Sequence, residues 1–168
     1  MSEKEQQRIF EQWISLYKAL LFKVVRTYAF TSNDREDLFQ EIIIQVWHSI
    51  KTFKADAAVA TWLYRVALNT SFKWVRKELR HQRGAGLENV QHILQENKQV
   101  MDDRLVWLYE EISRLDEVDR SVTLLMLDGF SYKEMSDIIG ITESNVGIKI
   151  NRIKKHLISK SKITNHGI

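Results

Sequence analysis

The chain has 168 residues, 44% of them hydrophobic, and its five Trp, five Tyr and seven Phe could fill one large or two small cores. It lacks cysteine, which excludes disulfides and thiolate chemistry, and it lacks proline, which is typical of an all-helical protein. The net charge of +3 says little about partners. Without a secretion signal or a membrane-length apolar run, we expect a cytoplasmic protein with no membrane insertion.

The first half of the chain has the apolar spacing of three helices. This spacing runs over residues 5–29, over residues 33–50 and again from Val59 onward. Asn33 is placed to cap the second helix. We expect residues 5–82 to form one compact bundle.

The second predicted helix has an unusual outer side, where acid, amide and apolar residues occur together. The residues are Asp37, Gln40, Glu41, Ile44 and His48. An exposed isoleucine among polar groups suits a protein partner, and a simple solvated face is the alternative. One histidine with carboxylates spread over three turns matches metal-ligand geometry poorly, so we expect no metal and no cofactor.

The third predicted helix has a basic outer side, formed by Arg65, Asn69, Lys73, Arg76 and Arg80. Four aromatic residues interleave with it: Trp62, Tyr64, Phe72 and Trp74. Cations beside rings that stack on unpaired bases describe a surface for opened or single-stranded DNA. The alternative is that the rings belong to the core, which we favour for Trp62 and Trp74.

Periodicity is lost over residues 83–101, where two glycines and many amides predict a flexible linker. Residues 102–162 predict a second bundle. Its first apolar positions are Leu105, Leu108, Ile112, Leu115, Val122, Leu125 and Met126, and Gly129 ends the helix that carries the last three.

The segment that follows predicts two short helices joined by a tight turn. Ser131 and Glu134 can form a capping box, Gly140 can end the first helix in the left-handed conformation, and Thr142 can cap the second. The core side of the second helix is Val146, Ile150, Ile153 and Leu157. Its outward residues are expected to be Ser144, Asn145, Ile148, Lys149, Asn151, Arg152 and Lys155. Such a helix can enter the major groove of DNA, whereas an ordinary helical hairpin is the alternative.

Enzyme motifs are missing from the sequence. It contains no Walker loop, no glycine-rich dinucleotide turn and no nucleophile elbow, and its five histidines are scattered. We therefore do not expect catalysis by this chain.

Three segments together resemble bacterial extracytoplasmic-function sigma factors of the sigma-70 family. They are DLFQEIIIQVW (37–47), TWLYRVALN (61–69) and LDEVDRSVTLLMLDGFSYKEMSDIIGITESNVGIKINRIKKHL (115–157). The resemblance implies an alternative sigma factor, which binds core RNA polymerase and directs promoter recognition and melting. The competing hypotheses are a stand-alone helix-turn-helix regulator that binds operator DNA and a helical scaffold protein.

The resemblance also implies a role for each surface. Residues 5–82 would form a region 2-like domain, and residues 102–162 a region 4-like domain. Contact with the coiled coil of the polymerase beta-prime subunit would come from Asp37, Gln40, Glu41 and Ile44. The loop 53–61 would capture a flipped minus-ten base, and the helix after it would face the minus-ten element through Trp62, Arg65, Asn69, Lys73, Arg76 and Arg80. The minus-thirty-five element would meet Ser144, Asn145, Ile148, Lys149, Arg152 and Lys155. The other partners implied are the polymerase beta flap and an anti-sigma factor.

Departures from the family pattern concentrate in the predicted recognition helix. Gly147 replaces a residue that is usually basic, with an expected cost of about 1 kcal/mol in helix stability and the loss of one phosphate contact. Ile148 replaces a small polar residue and could touch a thymine methyl group. Asp116 stands where the family often has proline, which changes only the start of a helix.

Overall fold

The computed structural model describes residues 1–82 and 102–163, and these residues contain helices and no strands. Contacts divide the chain into two compact units, the first with helices α1–α3 and the second with α4–α7. The predicted all-α fold with two helical bundles is confirmed. The predicted linker at 83–101 lies outside the described residues. Among the helices described, none is both long and apolar enough to cross a membrane.

The first unit consists of three helices packed pairwise around one core. They are α1 (Glu3–Tyr28), α2 (Ser32–Ser49) and α3 (Val59–Gln82), and a short 3-10 turn, Ile50–Thr52, follows α2. The core includes Leu21, Val24, Val25, Leu38, Ile42, Val46, Leu63, Ala67 and Leu68. The buried Gln6 side chain donates a 2.8 Å hydrogen bond to the Trp47 carbonyl, which joins the start of α1 to the end of α2.

Helix α2 begins two residues earlier than the predicted cap implied, because its cap is Thr31. The Thr31 hydroxyl accepts a 3.0 Å hydrogen bond from the Asp34 N–H. Asn33 lies inside the first turn, so the prediction that it caps α2 is wrong. Arg35 bridges the connection between α1 and α2, since its Nε donates to the Ala29 carbonyl at 3.1 Å. Burial, together with the charge of Arg26, lowers the pKa of Arg35.

The second unit consists of four helices: α4 (Asp103–Ser113), α5 (Glu117–Leu127), α6 (Tyr132–Ile139) and α7 (Glu143–Ile163). Its core includes Trp107, Ile112, Val122, Leu125, Met135, Ile138, Val146, Ile150, Ile153 and Leu157. Leu105 was expected in this core, but it lies in the first turn of α4 and is exposed. The first buried residue of α4 is Trp107. The buried Glu111 carboxylate accepts a hydrogen bond from Arg114, and its Oε2 lies 3.6 Å from Nε2 of His156 on α7.

Candidate nucleic-acid and partner interfaces

Helix α2 presents an outer face, which we call the acidic face, formed by Asp37, Gln40, Glu41 and Ile44. Asp37 and Gln40 are exposed, and Ile44 is 51% exposed. Glu41 is half-buried, and its carboxylate lies 3.6 Å from Nζ of Lys77 on α3. The opposite side of the helix is fully buried through Leu38, Ile42 and Val46. About half of Ile44 is therefore left uncovered by its own unit.

Helix α3 carries the predicted basic stripe, defined by Arg65, Asn69, Lys73, Arg76 and Arg80. Four of these five side chains are exposed along the helix, and Arg65 is partly buried. Arg80 Nε donates to the Arg76 carbonyl at 3.2 Å, which directs that guanidinium along the helix surface. Three or four residues separate successive members, so the stripe follows one side of the helix as a phosphate backbone would require.

Most aromatic residues of α3 do not form the predicted stacking surface. Tyr64 and Trp74 are buried, and Phe72 packs edge-on against Tyr28 with 5.9 Å between ring centroids. The preference for a core position is therefore confirmed for Trp74. Bases could stack only on a ring with an open face, and the partly exposed rings of the four are Trp62 and Phe72. Of these two, Trp62 lies beside the loop that precedes α3.

Trp62 belongs to a cluster of three rings, together with Trp13 and Phe53. The ring centroids lie 5.0 Å apart for Trp13–Phe53, 5.6 Å for Trp13–Trp62 and 5.4 Å for Phe53–Trp62. Phe53 precedes the loop between the 3-10 turn and α3, and Trp62 lies in the first turn of α3. The cluster therefore fixes both ends of that loop. Inside the loop, Ala55 adopts a left-handed conformation with φ 56°, which costs a non-glycine residue about 1–2 kcal/mol.

Helices α6 and α7 form the predicted helix-turn-helix, and its caps are those expected from the sequence. The Ser131 hydroxyl accepts from the Glu134 N–H at 3.2 Å, and the Glu134 carboxylate accepts from the Ser131 N–H at 2.8 Å. The Glu134 carboxylate accepts from the Ser131 N–H and also from the Ser131 hydroxyl, and these two hydrogen bonds lower the pKa of Glu134. Gly140 ends α6 with φ 81°, and the Thr142 hydroxyl accepts from the Asn145 N–H at 3.2 Å.

The outward face of α7 contains most of the residues predicted for it. Exposed side chains are Ser144, Asn145, Ile148, Asn151, Arg152 and Lys155. Ile148, at 66% exposure, is the most exposed large apolar residue of the second unit as described. Lys149 is the exception. Its side chain is only 17% exposed, so the expectation that it faces outward is wrong.

Lys149 turns toward α5 because a buried carboxylate lies there. The Asp119 side chain is 6% exposed, and its Oδ1 accepts a 2.7 Å hydrogen bond from Lys149 Nζ. Its Oδ2 accepts a hydrogen bond from Arg152. A charge removed from water requires such partners, since an uncompensated buried ion is strongly destabilising. We call these three residues the Asp119 cluster.

Sequence reasoning missed Asp119, although a signal was present. It lies three residues before Val122, on the apolar side of α5, and an acid on such a side requires a cation. The sequence alone gives no way to choose that cation from residues thirty positions away.

Gly147 lies beneath the ring of Tyr132, the first residue of α6. A Cβ atom at Gly147 would be 3.3 Å from Cε2 of Tyr132, closer than ordinary contact. The missing side chain therefore lets the ring lie against the backbone of α7.

Comparison with known proteins assigns both units. The family model for Sigma-70 region 2 matches residues 13–81, and that for Sigma-70 region 4 matches residues 105–157, so the two together span most of the chain. The ECF RNA polymerase sigma-E factor of Escherichia coli K12 is 25% identical over 171 residues, which cover 94% of this chain and 89% of that protein. The protein of the same name from Haemophilus influenzae is 25% identical over 168 residues, 91% and 87% of the two chains.

The chain is an extracytoplasmic-function sigma factor of the sigma-70 family. It is therefore an alternative sigma factor, which binds core RNA polymerase and directs transcription initiation, and the stand-alone regulator is not favoured.

Two solved structures share the fold of this sigma factor. One is RpoE of Bartonella quintana in complex with the anti-sigma factor NepR, with a TM-score of 0.75, 21% identity and coverage of 93% of this chain and 98% of that one. The other is CnrH in complex with the cytosolic domain of CnrY, with a TM-score of 0.67, 21% identity and coverage of 94% and 90%.

Proposed function

We propose that this sigma factor uses three separate surfaces during initiation. The acidic face of α2 binds the beta-prime coiled coil of core polymerase, the basic stripe of α3 with the loop before it engages the minus-ten element, and α7 reads the minus-thirty-five element. One observation carries the proposal: the region 2 and region 4 matches fall on separate units, and each unit exposes a surface suited to its partner.

The minus-ten assignment is supported by charge and by the three-ring cluster. The stripe supplies cations that can follow a phosphate backbone, and the cluster fixes the ends of the loop that would receive a flipped base. Unstacking a base costs a few kcal/mol, so a loop held in place before binding would reduce the remaining cost. Trp62, partly exposed at the start of α3, is the ring best placed to meet such a base.

We further propose that the protein catalyses no bond chemistry and acts in the cytoplasm, where its polymerase works. Its contribution is binding specificity, because duplex recognition at one element fixes the register at which the other element is opened. An anti-sigma factor is the proposed regulator, and support comes from the two structural neighbours, both solved with such a regulator or a cytosolic partner domain.

The decisive experiment is transcription in vitro from fragmented genomic DNA, with sigma-free core polymerase and with or without this protein. Mapping transcript starts should give discrete new starts that share two spaced upstream elements. Folded protein and active core that yield no new starts would overturn the proposed function.

The acidic face can be tested separately by the double substitution Asp37→Ala with Gln40→Ala. We expect weaker binding to core polymerase with unchanged helicity, because both side chains are exposed and make no core contact. Lys51→Ala, an exposed change in the 3-10 turn after α2, is the matched control and should leave core binding unchanged. Normal holoenzyme assembly by the double variant would remove this face from the interface.

A further inference from the structure

We propose that Asp119 is a positioning residue for promoter recognition. It holds Arg152 so that the free edge of the guanidinium meets a guanine in the minus-thirty-five element, while Lys149 serves as the counter-charge. This inference rests on the proposed role of α7 in that element. Asp119 itself lies on α5 and is too deeply buried to touch DNA.

The anchor is fixed by its own helix. Asp119 lies in the first turn of α5, where its N–H donates to Oδ1 of Asp116 at 2.8 Å. Its carbonyl accepts from the Thr123 hydroxyl at 2.7 Å. The backbone that carries the carboxylate is therefore bonded on both sides, so the carboxylate offers α7 a fixed point of attachment.

The two cations of the cluster are used unequally. Lys149 is 17% exposed and directs its single ammonium at Oδ1, so it has little left to offer a ligand. Arg152 is 61% exposed although it bonds Oδ2. A guanidinium has five N–H donors in one plane, and contact with one carboxylate oxygen leaves donors on its other edge. The cluster keeps a net charge of +1, and that charge lies on the side chain that reaches solvent.

The Arg152 guanidinium is planar, so its hydrogen bond to Asp119 at one edge orients its other edge before DNA binds. Guanine presents O6 and N7 side by side in the major groove, and the planar guanidinium of arginine can donate to both acceptors together. Holding the side chain before binding lowers the conformational entropy lost on contact, so the correct base gains more than a competing base does. We therefore expect Asp119 to affect base preference at one position rather than overall affinity.

The test uses holoenzyme and a promoter library randomised in the minus-thirty-five element around a mapped start. Wild type should prefer guanine at one position, and Arg152→Ala and Asp119→Asn should each reduce that preference about tenfold at the same position. The double variant should lose no more than either single variant, because both act through one contact. Asp103→Asn, an exposed acid on α4, is the control and should leave the preference unchanged.

A chemical probe separates positioning from a structural role. Replacing the preferred guanine by 7-deazaguanine removes the N7 acceptor, so it should weaken wild-type binding and leave Asp119→Asn and Arg152→Ala almost unaffected. If Asp119→Asn does not fold, Asp119→Glu tests the same idea, because it keeps the charge but moves the carboxylate by one methylene, and it should reduce both the guanine preference and the 7-deazaguanine effect.

Three results would overturn the inference: Asp119→Asn, or Asp119→Glu in its place, weakening all library members equally, acting at a different position from Arg152→Ala, or retaining the full 7-deazaguanine effect. An effect of Arg152→Ala without one of Asp119→Asn would contradict only the positioning role. If Arg152→Ala changes no preference in the element, the role of α7 in the proposed function also fails.

Discussion

Replacing Gly147 by alanine should stabilise the recognition helix α7, despite the close contact at that site. Glycine inside a helix is about 0.8–1.0 kcal/mol less favourable than alanine, and Gly147 lies in the interior of α7. Opposing this gain, the new Cβ would lie 3.3 Å from Cε2 of Tyr132, so the ring must move by a few tenths of an ångström. The Tyr132 ring is 46% exposed and can move toward solvent. We expect a net gain of about 0.5–1 kcal/mol.

Hydrogen exchange followed by mass spectrometry on peptides from α7 measures this gain in the full chain. A gain of about 0.5–1 kcal/mol corresponds to exchange slowed about two- to fivefold. In a Tyr132→Ala background the contact is absent, and Gly147→Ala should give the full gain of about 1 kcal/mol. Faster exchange in both backgrounds would refute the reasoning, because neither helix propensity nor the Tyr132 contact could then account for the change.

Three further predictions concern charge, pH and packing. Arg152→Ala should weaken promoter binding and reduce the slope of log affinity against log salt by about 1, whereas an unchanged slope would remove this residue from the phosphate contacts. Because hydrogen bonds from Ser131 lower the pKa of Glu134, the folded state favours the carboxylate. That stabilisation is complete above the ordinary glutamate pKa and is lost as pH falls through the lowered value. Glu134→Gln should therefore show a smaller loss of stability on acidification, measured as the urea midpoint at each pH, and an identical pH profile would contradict the capping argument. Ile42→Ala should destabilise the first unit by about 2–5 kcal/mol in urea unfolding, since Ile42 is fully buried. Ile44→Ala, on the exposed side of the same helix, should change stability by less than about 0.5 kcal/mol but weaken core binding.

Local patterns predicted those parts of the fold that depend on neighbouring residues. The capping box at Ser131, the left-handed Gly140 and the apolar side of α7 follow from spacings of three or four residues, and all are present. The start of α2 was less certain, because four consecutive residues from Thr31 to Asp34 can each cap a helix. A hydrogen bond across the connection between α1 and α2, from Arg35 to the Ala29 carbonyl, accompanies the earlier start.

The candidate site could be predicted only for side chains whose exposure follows from the helical period of about 3.6 residues. The acidic face and most of the basic stripe lie opposite buried positions, so their exposure could be inferred from the sequence. The direction of Lys149 could not, because it depends on a carboxylate thirty residues earlier in the chain. Tyr64 and Trp74 were also ambiguous, since an aromatic residue beside a basic stripe has the same local pattern whether it is buried or exposed.

The Asp119 cluster restricts how this sigma factor can acquire new promoter preferences during evolution. Arg152 bonds a buried carboxylate, so exchanging it alone leaves Asp119 with only Lys149 as a partner. A buried charge left without any partner costs about 3–5 kcal/mol, and because Lys149 remains and Arg152 is 61% exposed, the cost here should be only part of that figure. Even a part matters against the roughly 5–15 kcal/mol that typically separates folded from unfolded protein. On the proposed role of Arg152, a lineage that changes the base read by this helix meets a stability cost, which concerted changes in α5 and α7 or stability gained elsewhere would offset. On the proposed roles of these residues, specificity would be inherited as a group of residues on two helices.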